Sequence, residues 1–240
     1  MALISAVIIT RNEAANISRC LRSLEGIADE IVVADSGSTD ETEQICRSQG
    51  VHFFGVEWQG YSKTKNMANN LAKGDFILSL DADEALSEPL RKAILRQKPY
   101  LSGAYSFNRL TWFAHHPVRF CGWYPDRKIR LFPKNQAFWE GDFVHETLTP
   151  HPSLTITHLT GDILHYSFSS TEDFISRMDY YARLAAQKLH SEGKNATWYR
   201  RFVSPVFKFL VIYFIRLGIL DGKTGWQIAW YSAKAHFHRY

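Results

Sequence analysis

The stretch that decides the fold runs Gly74-Asp75-Phe76-Ile77-Leu78-Ser79-Leu80-Asp81-Ala82-Asp83-Glu84. A glycine turn precedes an apolar run as long as one buried strand, and three carboxylates follow where that strand ends. Ligands bind outside the carboxyl ends of strands in open α/β sheets. Asp81 and Asp83 can meet one divalent cation through oxygen, and such a cation can bridge the phosphates of a nucleotide. The alternative is an acidic turn in which Asp83 or Glu84 merely begins the next helix.

The sequence before this stretch alternates strand patterns with helix patterns. Apolar strand patterns occupy residues 5–10, 30–34 and 51–54, and amphipathic helix patterns follow them. Ser38 and Glu41 fit a capping box, which predicts that one helix begins near Thr39. Further helices are predicted over residues 62–73 and from Ser87 onward. This alternation implies right-handed crossovers and a mostly parallel sheet.

The composition is that of a globular protein, because 45% of the 240 residues are hydrophobic and 22% are charged. Cys20, Cys46 and Cys121 show no metal-type spacing, and their odd number indicates reduced thiols in a cytosolic setting. Cys20 and Cys46 fall on apolar helix faces and are expected in the core. The start of the chain shows no basic region of a secretory signal. No Gly-x-Gly-x-x-Gly motif and no phosphate-binding Gly-Lys-Ser/Thr loop occur, which weighs against a dinucleotide enzyme and a P-loop ATPase.

Residues 103–165 change to short alternating strand patterns, such as those at residues 104–107 and 128–132. Aromatic residues are dense there, at Trp112, Phe113, Phe120, Trp123, Tyr124, Phe138 and Trp139. Aromatic side chains interleaved with glycine suit a wall on which sugar rings stack, and core packing is the alternative for each of them.

From Ser170 onward the sequence is helical and basic. Residues 171–240 contain 11 Lys and Arg against 5 Asp and Glu, whereas the first 170 residues contain 17 against 19. One helix face is predicted from Phe174, Met178, Tyr181, Ala185 and Leu189. A helix is also predicted over residues 206–220, and its apolar run at 209–215 is too short to span a membrane. Such a helix either lies in a membrane interface or packs on the domain, and the local charge indicates an anionic surface as partner.

Polar clusters follow four of the predicted strands, at residues 10–13, 35–40, 81–84 and 139–146. Lys63 and Lys65 stand near a helix start, where the helix dipole does not favour cations. Cations in that position indicate an anionic ligand nearby, such as a diphosphate. Two solvated lysines are the alternative.

These motifs, taken in order, resemble inverting glycosyltransferase family 2, whose members have the fold called GT-A. The residues that carry the resemblance are Val-Ile-Ile-Thr-Arg-Asn-Glu (7–13), Val-Val-Ala-Asp-Ser-Gly-Ser-Thr-Asp (32–40), Lys-Thr-Lys-Asn (63–66) and Leu-Ser-Leu-Asp-Ala-Asp-Glu (78–84). Arg-Leu-Phe (130–132) and Gly-Asp-Phe-Val-His-Glu (141–146) resemble a subgroup of it. Within that subgroup the whole chain is similar to the lipopolysaccharide inner-core β-glucosyltransferases.

The resemblance implies an α/β fold of the GT-A type, a mostly parallel sheet flanked by helices, with a helical C-terminal appendage. Residues 1–170 would form the catalytic domain, with a nucleotide-binding half at 1–98 and an acceptor half at 99–170. Residues 171–240 would form the appendage, a basic amphipathic tail that either associates with a membrane or packs on the domain. The implied donor-site residues are Thr10, Asn12 and Glu13 around the nucleoside, Asp35 at the base or ribose, and Lys65 at the diphosphate. Asp81 and Asp83 would be the metal pair, with Asp83 the direct ligand.

The implied reaction transfers glucose from UDP-glucose to a lipopolysaccharide core sugar or a related glycan. A Mg²⁺ or Mn²⁺ ion held by carboxylates stabilises the charge that gathers on the diphosphate leaving group. The attacking hydroxyl needs a general base, and Glu146 is the expected one. His145 is the competitor, as the base or as a further metal ligand. A single base without a covalent intermediate gives inversion.

Other functions remain open at this point. A polyprenyl-phosphate sugar transferase is the closest alternative, although such enzymes often carry membrane spans. A nucleotidyltransferase would normally show glycines after the first strand, and Thr10-Arg11-Asn12-Glu13 has none. A non-catalytic sugar-binding protein would not need Asp81, Asp83 and Glu146. The expected partners are a nucleotide-sugar donor, a lipid-linked glycan and an anionic membrane surface, not nucleic acid, and the expected location is the inner face of the cytoplasmic membrane.

Overall fold

The computed structural model describes residues 2–141, 146–191 and 197–239, and at residue 188 the backbone alone. The chain divides into two compact units. The first unit comprises Met1–Arg109 with Arg127–His165, and the second comprises Leu110–Asp126 with Tyr166–Tyr240. The helical C-terminal part therefore includes a short segment from the middle of the chain.

The first unit begins with the predicted alternation of strands and helices. Its elements are β1 (Ile4–Thr10), α1 (Ile17–Ser23), β2 (Glu30–Asp35), α2 (Thr42–Ser48), β3 (His52–Gly55), α3 (Tyr61–Leu71), β4 (Phe76–Asp81), β5 (Glu84–Leu86) and α4 (Glu88–Gln97). Strand β1 pairs in parallel with both β2 and β4, and β2 pairs in parallel with β3. Helix α4 begins as predicted, because the side chain of Ser87 accepts the Leu90 N–H.

Six further strands follow, and four of them extend this sheet. They are β6 (Ala104–Phe113), β7 (His116–Pro117), β8 (Asp126–Pro133), β9 (Ala137–Glu140), β10 (Thr147–Pro150) and β11 (Ile156–Phe168), after a 3₁₀ turn at Lys98–Tyr100. The described strands form one sheet in the order β3-β2-β1-β4-β8-β6-β11-β5, with β7 paired to β6, and a separate β9-β10 pair. Strand β8 runs antiparallel to β4, and β11 runs antiparallel to β5. The α/β class is confirmed, and the sheet is parallel over its first four strands in that order.

The two faces of β1 belong to two different cores, because successive side chains of a strand point to opposite faces. Ile4 and Ile8 pack in a core shared with helices α1, α2 and α4, whereas Val7 and Ile9 pack with α3 and the β9-β10 pair. Cys20 and Cys46 are fully buried in the first of these cores, as predicted. Strand β1 is therefore covered on both faces, which leaves its carboxyl end for ligands.

Helix α2 begins at Thr42 rather than near Thr39, and the capping box is wrong. The hydroxyl of Ser38 donates to the Asp35 carboxylate and accepts the Asn12 N–H at 2.8 Å. The Ser38 hydroxyl therefore forms its hydrogen bonds with the loops after β1 and β2 and does not cap α2. The Thr42 N–H at the helix start donates instead to Asp40 Oδ1 at 3.0 Å.

The second unit is helical and has its own core. It contains α5 (Thr171–Ser191), α6 (Trp198–Leu210), a π-helical turn at Val211–Ile215, a 3₁₀ turn at Gly218–Asp221 and α7 (Gly222–His238). Its core consists of Phe113, Val118, Cys121, Phe174, Ile212, Ile228 and Ala229.

Two expectations for the second unit are wrong. The helix expected over residues 206–220 begins at Trp198, keeps Pro205 in its interior and breaks after Ile215. The cap supplied by Thr197 starts the helix early enough to include the proline. On α5, Phe174 and Met178 pack in the core as expected, but Tyr181 is 48% exposed while Ala182 is buried. Helix α5 packs against α7, and this close packing buries the small Ala182 rather than Tyr181.

Candidate active site

The ends of three parallel strands bring most of the predicted site residues to one edge of the sheet. Thr10, the last residue of β1, lies opposite Asp35, the last residue of β2. Asp81, the last residue of β4, lies opposite Ile9 on the other side of β1. Three polar side chains therefore leave adjacent strands at the same level, as expected for a ligand site at the carboxyl edge of a parallel sheet.

The residues predicted to border a nucleoside hold two loops together. The Asp35 carboxylate is almost buried and accepts the N–H groups of Gly37 at 3.0 Å and Ser38 at 2.8 Å, besides the Ser38 hydroxyl. Asn12 Oδ1 accepts the Thr39 N–H at 2.7 Å. Asn12 has a φ of 55°, a left-handed conformation that asparagine tolerates better than most residues. These bonds fix the loops after β1 and β2 against each other.

Thr10 and Glu13 occupy the same loop pair. The Oγ1 atom of Thr10 is buried and has no hydrogen-bond partner among the residues that the structure describes. The backbone N–H of Glu13 donates to Thr42 Oγ1 at 2.9 Å, and its carboxylate accepts from the Asn16 side chain at 2.9 Å. A buried hydroxyl without a partner is costly unless a ligand or water satisfies it, so Thr10 is a candidate ligand contact.

Lys65 is the buried cation at the centre of the site. Its side chain is 2% exposed, and its Nζ lies 2.8 Å from Asp81 Oδ1 and 3.2 Å from Glu146 Oε1. The same Nζ lies 4.4 Å from the ring centroid of Trp139. Lys65 was expected to contact a diphosphate. In the structure it bridges Asp81, at the end of β4, to Glu146, the expected base. A buried ammonium requires such partners, because desolvating an unpaired charge is prohibitive.

The neighbouring residue Asn66 fixes where Lys65 points. Its Nδ2 donates to the Trp139 carbonyl at 2.8 Å, and its Oδ1 accepts the Trp139 N–H at 2.9 Å. This two-way bond ties helix α3 to strand β9. The ammonium of Lys65 therefore stays beside the indole and both carboxylates.

Arg130 is a second buried cation in the site, and its role was not predicted from the sequence. Its Nη2 lies 2.8 Å from Glu84 Oε1 and 3.2 Å from Asp81 Oδ2. Glu84 Oε2 in turn accepts the Asp81 N–H at 3.0 Å, and Arg109 Nη1 lies 3.8 Å from Glu84 Oε1. Glu84 is fully buried and holds the turn after β4, so it does not begin the next helix. The signal for Arg130 was a charge inside the apolar strand Ile129-Arg130-Leu131-Phe132, which can be buried only if paired.

The pKa values of Asp81 and Glu84 are shifted in opposite directions by burial and neighbouring charges. Burial alone would raise the pKa of Asp81, but Lys65 and Arg130 outweigh it and hold that pKa well below its ordinary value. Burial raises the pKa of Glu84, and the nearby charge of Asp81 adds to this, despite the Arg130 guanidinium. Burial would lower the pKa of Arg130, but Glu84 and Asp81 raise it, so the guanidinium keeps its charge. These charges favour the ionised form of Asp81, whose Oδ1 faces Lys65 and whose Oδ2 faces Arg130.

Asp83 lies beside His165, a second site residue that was not predicted from the sequence. The Asp83 Oδ2 and His165 Nε2 atoms are 3.2 Å apart, and both side chains are partly exposed. Strand β11 brings them together, because His165 lies opposite Glu84 in the antiparallel pair with β5. No local pattern predicted β11 or its register, and 82 residues separate Asp83 from His165 in the sequence.

The Asp83–His165 pair fits a divalent cation better than Asp81 does. No cluster of three or more His, Cys, Asp or Glu side chains suited to a metal occurs within the described parts of the chain. A cation that carries substrate phosphates needs only one or two protein ligands, and Asp83 and His165 supply a carboxylate and an imidazole close together. Asp81 is already paired to two cations. His145, the other expected ligand, lies outside the described residues.

A basic cavity of about 490 Å³ adjoins Glu146. The side chain of Glu146 is 22% exposed, and Lys65 holds its Oε1 atom. The charged and aromatic residues lining the cavity are Arg109, Arg127, Lys128, Arg130, Trp139 and Glu146. The Nε and Nη1 atoms of the nearly buried Arg130 have no hydrogen-bond partner among the described residues. Strands β8 and β6 lie on the side of β4 opposite β1 and β2, so this cavity is separate from the Thr10 and Asp35 loops.

Comparison with known proteins shows which family the sequence matches. Residues 5–144 match the family model described as glycosyl transferase family 2. An uncharacterized glycosyltransferase of Rickettsia bellii is 32% identical over 98% of this chain and 84% of the relative. The lipopolysaccharide core biosynthesis glycosyltransferase LpsC of Rhizobium meliloti is 29% identical over 99% of this chain and 93% of the relative. Among solved structures, residues 1–349 of S. aureus TarS superpose with a TM-score of 0.48 at 16% identity, covering 97% of this chain and 90% of that one.

Proposed function

Because the chain belongs to glycosyltransferase family 2, we propose that it transfers glucose from UDP-glucose to a sugar of a lipopolysaccharide core, with inversion at the anomeric carbon. The observation that carries the proposal is the Lys65 bridge, which holds Asp81, at the end of β4, and Glu146 around one buried ammonium. The similarity to LpsC over nearly the whole chain supports the choice of acceptor. Membership of the family removes the nucleotidyltransferase alternative.

The donor nucleoside is proposed to bind over the ends of β1 and β2. The buried Thr10 hydroxyl can bond to it without giving up a protein partner. Asp35 already accepts three hydrogen bonds of about four that a carboxylate can accept, so one site remains for a ribose hydroxyl or a base N–H. Asn12 and Glu13 line the same loops and are proposed to shape the nucleoside site. Lys65 is proposed to pair with the diphosphate once the donor is bound.

A divalent cation, Mn²⁺ or Mg²⁺, is proposed to bind Asp83 and His165. The imidazole favours Mn²⁺, because Mg²⁺ prefers an all-oxygen shell. When bound, the cation offsets the negative charge that gathers on the diphosphate leaving group. Asp81 keeps Lys65 and Arg130 in place beside that position rather than serving as the direct ligand. His145 remains a candidate for a further ligand.

Glu146 is proposed to act as the general base. Lys65 orients its carboxylate, and the side chain is exposed enough for an acceptor hydroxyl to reach it. The hydroxyl oxygen attacks the anomeric carbon while its proton moves to Glu146, and the bond to the diphosphate breaks. A single displacement of this kind converts an α-linked donor into a β-linked product. His145 is the competing candidate for the base.

The acceptor is proposed to be an anionic, lipid-linked core sugar. The cavity beside Glu146 is lined by Arg109, Arg127, Lys128 and Arg130. Guanidinium groups bind phosphate and carboxylate in a bidentate way, so a phosphorylated or carboxylated sugar suits this lining better than a neutral one. An enzyme that acts on such an acceptor works at the inner face of the cytoplasmic membrane.

Nucleotide release tests the proposal directly. Nucleotide sugars are first screened by thermal shift with Mn²⁺ or Mg²⁺, because a donor that binds only the folded state raises its stability. UDP release is then measured with UDP-glucose, with and without a chelator, and with intact or dephosphorylated core oligosaccharide. We expect UDP-glucose to stabilise the protein, the chelator to abolish UDP release, and dephosphorylation to raise the KM of the acceptor. Release of another nucleotide, or full activity in the chelator, contradicts the donor or the metal assignment, respectively.

A further inference from the structure

The C-terminal unit exposes an apolar corner where the chain turns from α6 into α7. We use this name for five large apolar side chains that are 46% to 76% exposed, namely Phe214, Ile215, Leu217, Ile219 and Leu220. No single described helix is long and apolar enough to cross a bilayer. The segments Trp198–Ile215 and Gly218–His238 meet that test only as a pair, bent by 72° at the corner.

The corner is a built structure rather than a frayed end. A Cβ atom on Gly225 would lie 1.8 Å from the Gly218 carbonyl oxygen, so the corner and the first turns of α7 are in backbone contact. Asp221 accepts the N–H groups of Phe120 at 2.9 Å and Arg119 at 3.2 Å. These contacts fix the turn, and the apolar side chains stay exposed because the backbone holds them there.

The apolar run at residues 209–215 is divided between two environments. Ile212 is buried in the core of the second unit, and Phe209 and Tyr213 pack against that core. Phe214 and Ile215 point the other way and continue into the corner. The inner half of the run is thus explained by folding. The outer half and the corner stay largely exposed and are not part of that core.

The charges around the corner indicate what covers it. Of the seven Lys and Arg in residues 198–239, Arg216 lies within the corner and is exposed, whereas the one acidic residue of that range, Asp221, is buried and hydrogen-bonded. Lys223 is exposed just beyond the corner. Trp226 and Trp230 stack at a centroid distance of 5.7 Å and are 44% and 50% exposed. Indole rings and basic residues around an apolar tip are typical of segments that lie at a membrane interface.

We propose that the apolar corner inserts into the interface of an anionic lipid leaflet, and that the basic residues around it bind the lipid headgroups. A second copy of this chain is a poorer occupant, because a twofold interface would bring these like charges together. The proposal rests on the second unit alone. It requires no donor, acceptor or catalytic step.

A fluorescent label at the corner tests insertion. The three native cysteines are buried, and burial raises the pKa of Cys20, that of Cys46 to about 11 and that of Cys121 to about 12. Thiolates are the reactive species, so an environment-sensitive fluorophore will react selectively with an introduced Ile215→Cys. The matched control is Tyr100→Cys, a position that is 73% exposed in the first unit.

The labelled proteins are titrated with vesicles of phosphatidylglycerol and phosphatidylcholine, and with vesicles of phosphatidylcholine alone. We expect the label at position 215 to shift to the blue with anionic vesicles, less at high salt, and the label at position 100 to stay unchanged. Lys223→Glu should weaken binding to anionic vesicles about fivefold or more at low salt. Ile215→Asn combined with Leu220→Asn should abolish binding, whereas Leu95→Asn combined with Tyr100→Asn should not.

Three results overturn the proposal. The first is a label at position 215 that does not respond to either vesicle, and the second is vesicle binding that survives the double substitution in the corner. The third is a blue shift that depends on protein concentration without lipid, which identifies a second copy as the occupant. Circular dichroism and the thermal midpoint confirm that each variant is folded. Because the assay contains no nucleotide sugar, its failure leaves the proposed sugar transfer intact.

Discussion

The ammonium of Lys65 lies 3.2 Å from Glu146 Oε1 and 2.8 Å from Asp81 Oδ1, so one buried cation connects the end of β4 to the proposed base. The two carboxylates come from parts of the chain 65 residues apart. A donor diphosphate that reaches Lys65 competes with both of them. Lys65 is therefore expected to matter for the position of the base as well as for donor binding.

The first prediction concerns this bridge. Lys65→Met keeps the length of the side chain but removes its charge, which releases Glu146 and leaves Asp81 with Arg130 alone. We expect kcat to fall about 10²-fold or more, because small misplacements of a catalytic group have effects of that size. The matched control is Lys63→Met, an exposed lysine on the same helix, which should keep near wild-type activity. Steady-state kinetics that show equal rates for both variants contradict the bridging role.

The second prediction concerns stability. Arg130→Met leaves the buried Glu84 carboxylate without its closest cation, so the free energy of unfolding should fall by about 3–5 kcal/mol. Arg127→Met changes an exposed arginine on the same strand and should alter it by no more than about 0.5 kcal/mol. Urea denaturation measures both. Adding Glu84→Gln to Arg130→Met should recover part of the loss, and a variant as stable as Arg127→Met would show that the pairing is not structural.

The third prediction concerns metal binding. Asp83→Asn and His165→Asn should each weaken Mn²⁺ binding at least about tenfold in the presence of UDP, because each removes a ligand of the proposed site. Titration calorimetry reads this without any turnover. His151→Asn is the control, because that exposed histidine bonds to Ser153 away from the site. Unchanged affinity in the Asp83 and His165 variants assigns the cation to other residues.

The fourth prediction concerns pH. Burial lowers the pKa of His236, and the charges of Lys208 and Arg239 lower it further. The unfolded chain therefore takes up a proton at this histidine at a higher pH than the folded chain does. Stability should fall as pH drops from the ordinary histidine value of about 6.5 towards the lower folded pKa.

Thermal midpoints between pH 7.5 and 5.5 measure this effect. The thermal midpoint of His236→Asn should fall by less over that pH interval than the midpoint of the wild type. His115→Asn, at an exposed position in the same unit, should behave like the wild type. An equal slope for all three proteins would exclude His236 as the source of the pH dependence.

Local sequence patterns predicted the strands and the carboxylates of this site. They did not predict which charged side chains form ion pairs there. The alternation of residues 5–98 and the apolar run into Asp81 depend on neighbours in the sequence, so they could be recognised. The roles of Arg130 and His165 depend on β8 and β11, antiparallel strands whose register is set by long-range packing. Lys65 was recognised as a site residue, but its two carboxylate partners could not be deduced from its own helix.

In the C-terminal part, the prediction from apolar residues failed for a different reason. A run of apolar residues at 209–215 carries no information about where a helix changes direction. The π-helical turn, the left-handed Leu217 and the contact between Gly218 and Gly225 divide the run into a core side and an exposed side. These features depend on tertiary packing, and the predicted continuous helix over residues 206–220 was wrong for that reason.

Glu146 is proposed to be the general base, and the Glu146→Gln variant tests that role. The amide keeps the shape of the side chain and can still accept a hydrogen bond from Lys65, but it cannot take a proton. Single-turnover transfer and donor affinity are measured side by side, with His145→Ala as the comparison. We predict that the transfer rate of Glu146→Gln falls about 10²–10⁴-fold while donor affinity stays unchanged. A Glu146→Gln variant that transfers at the wild-type rate while His145→Ala is inactive would contradict the assignment.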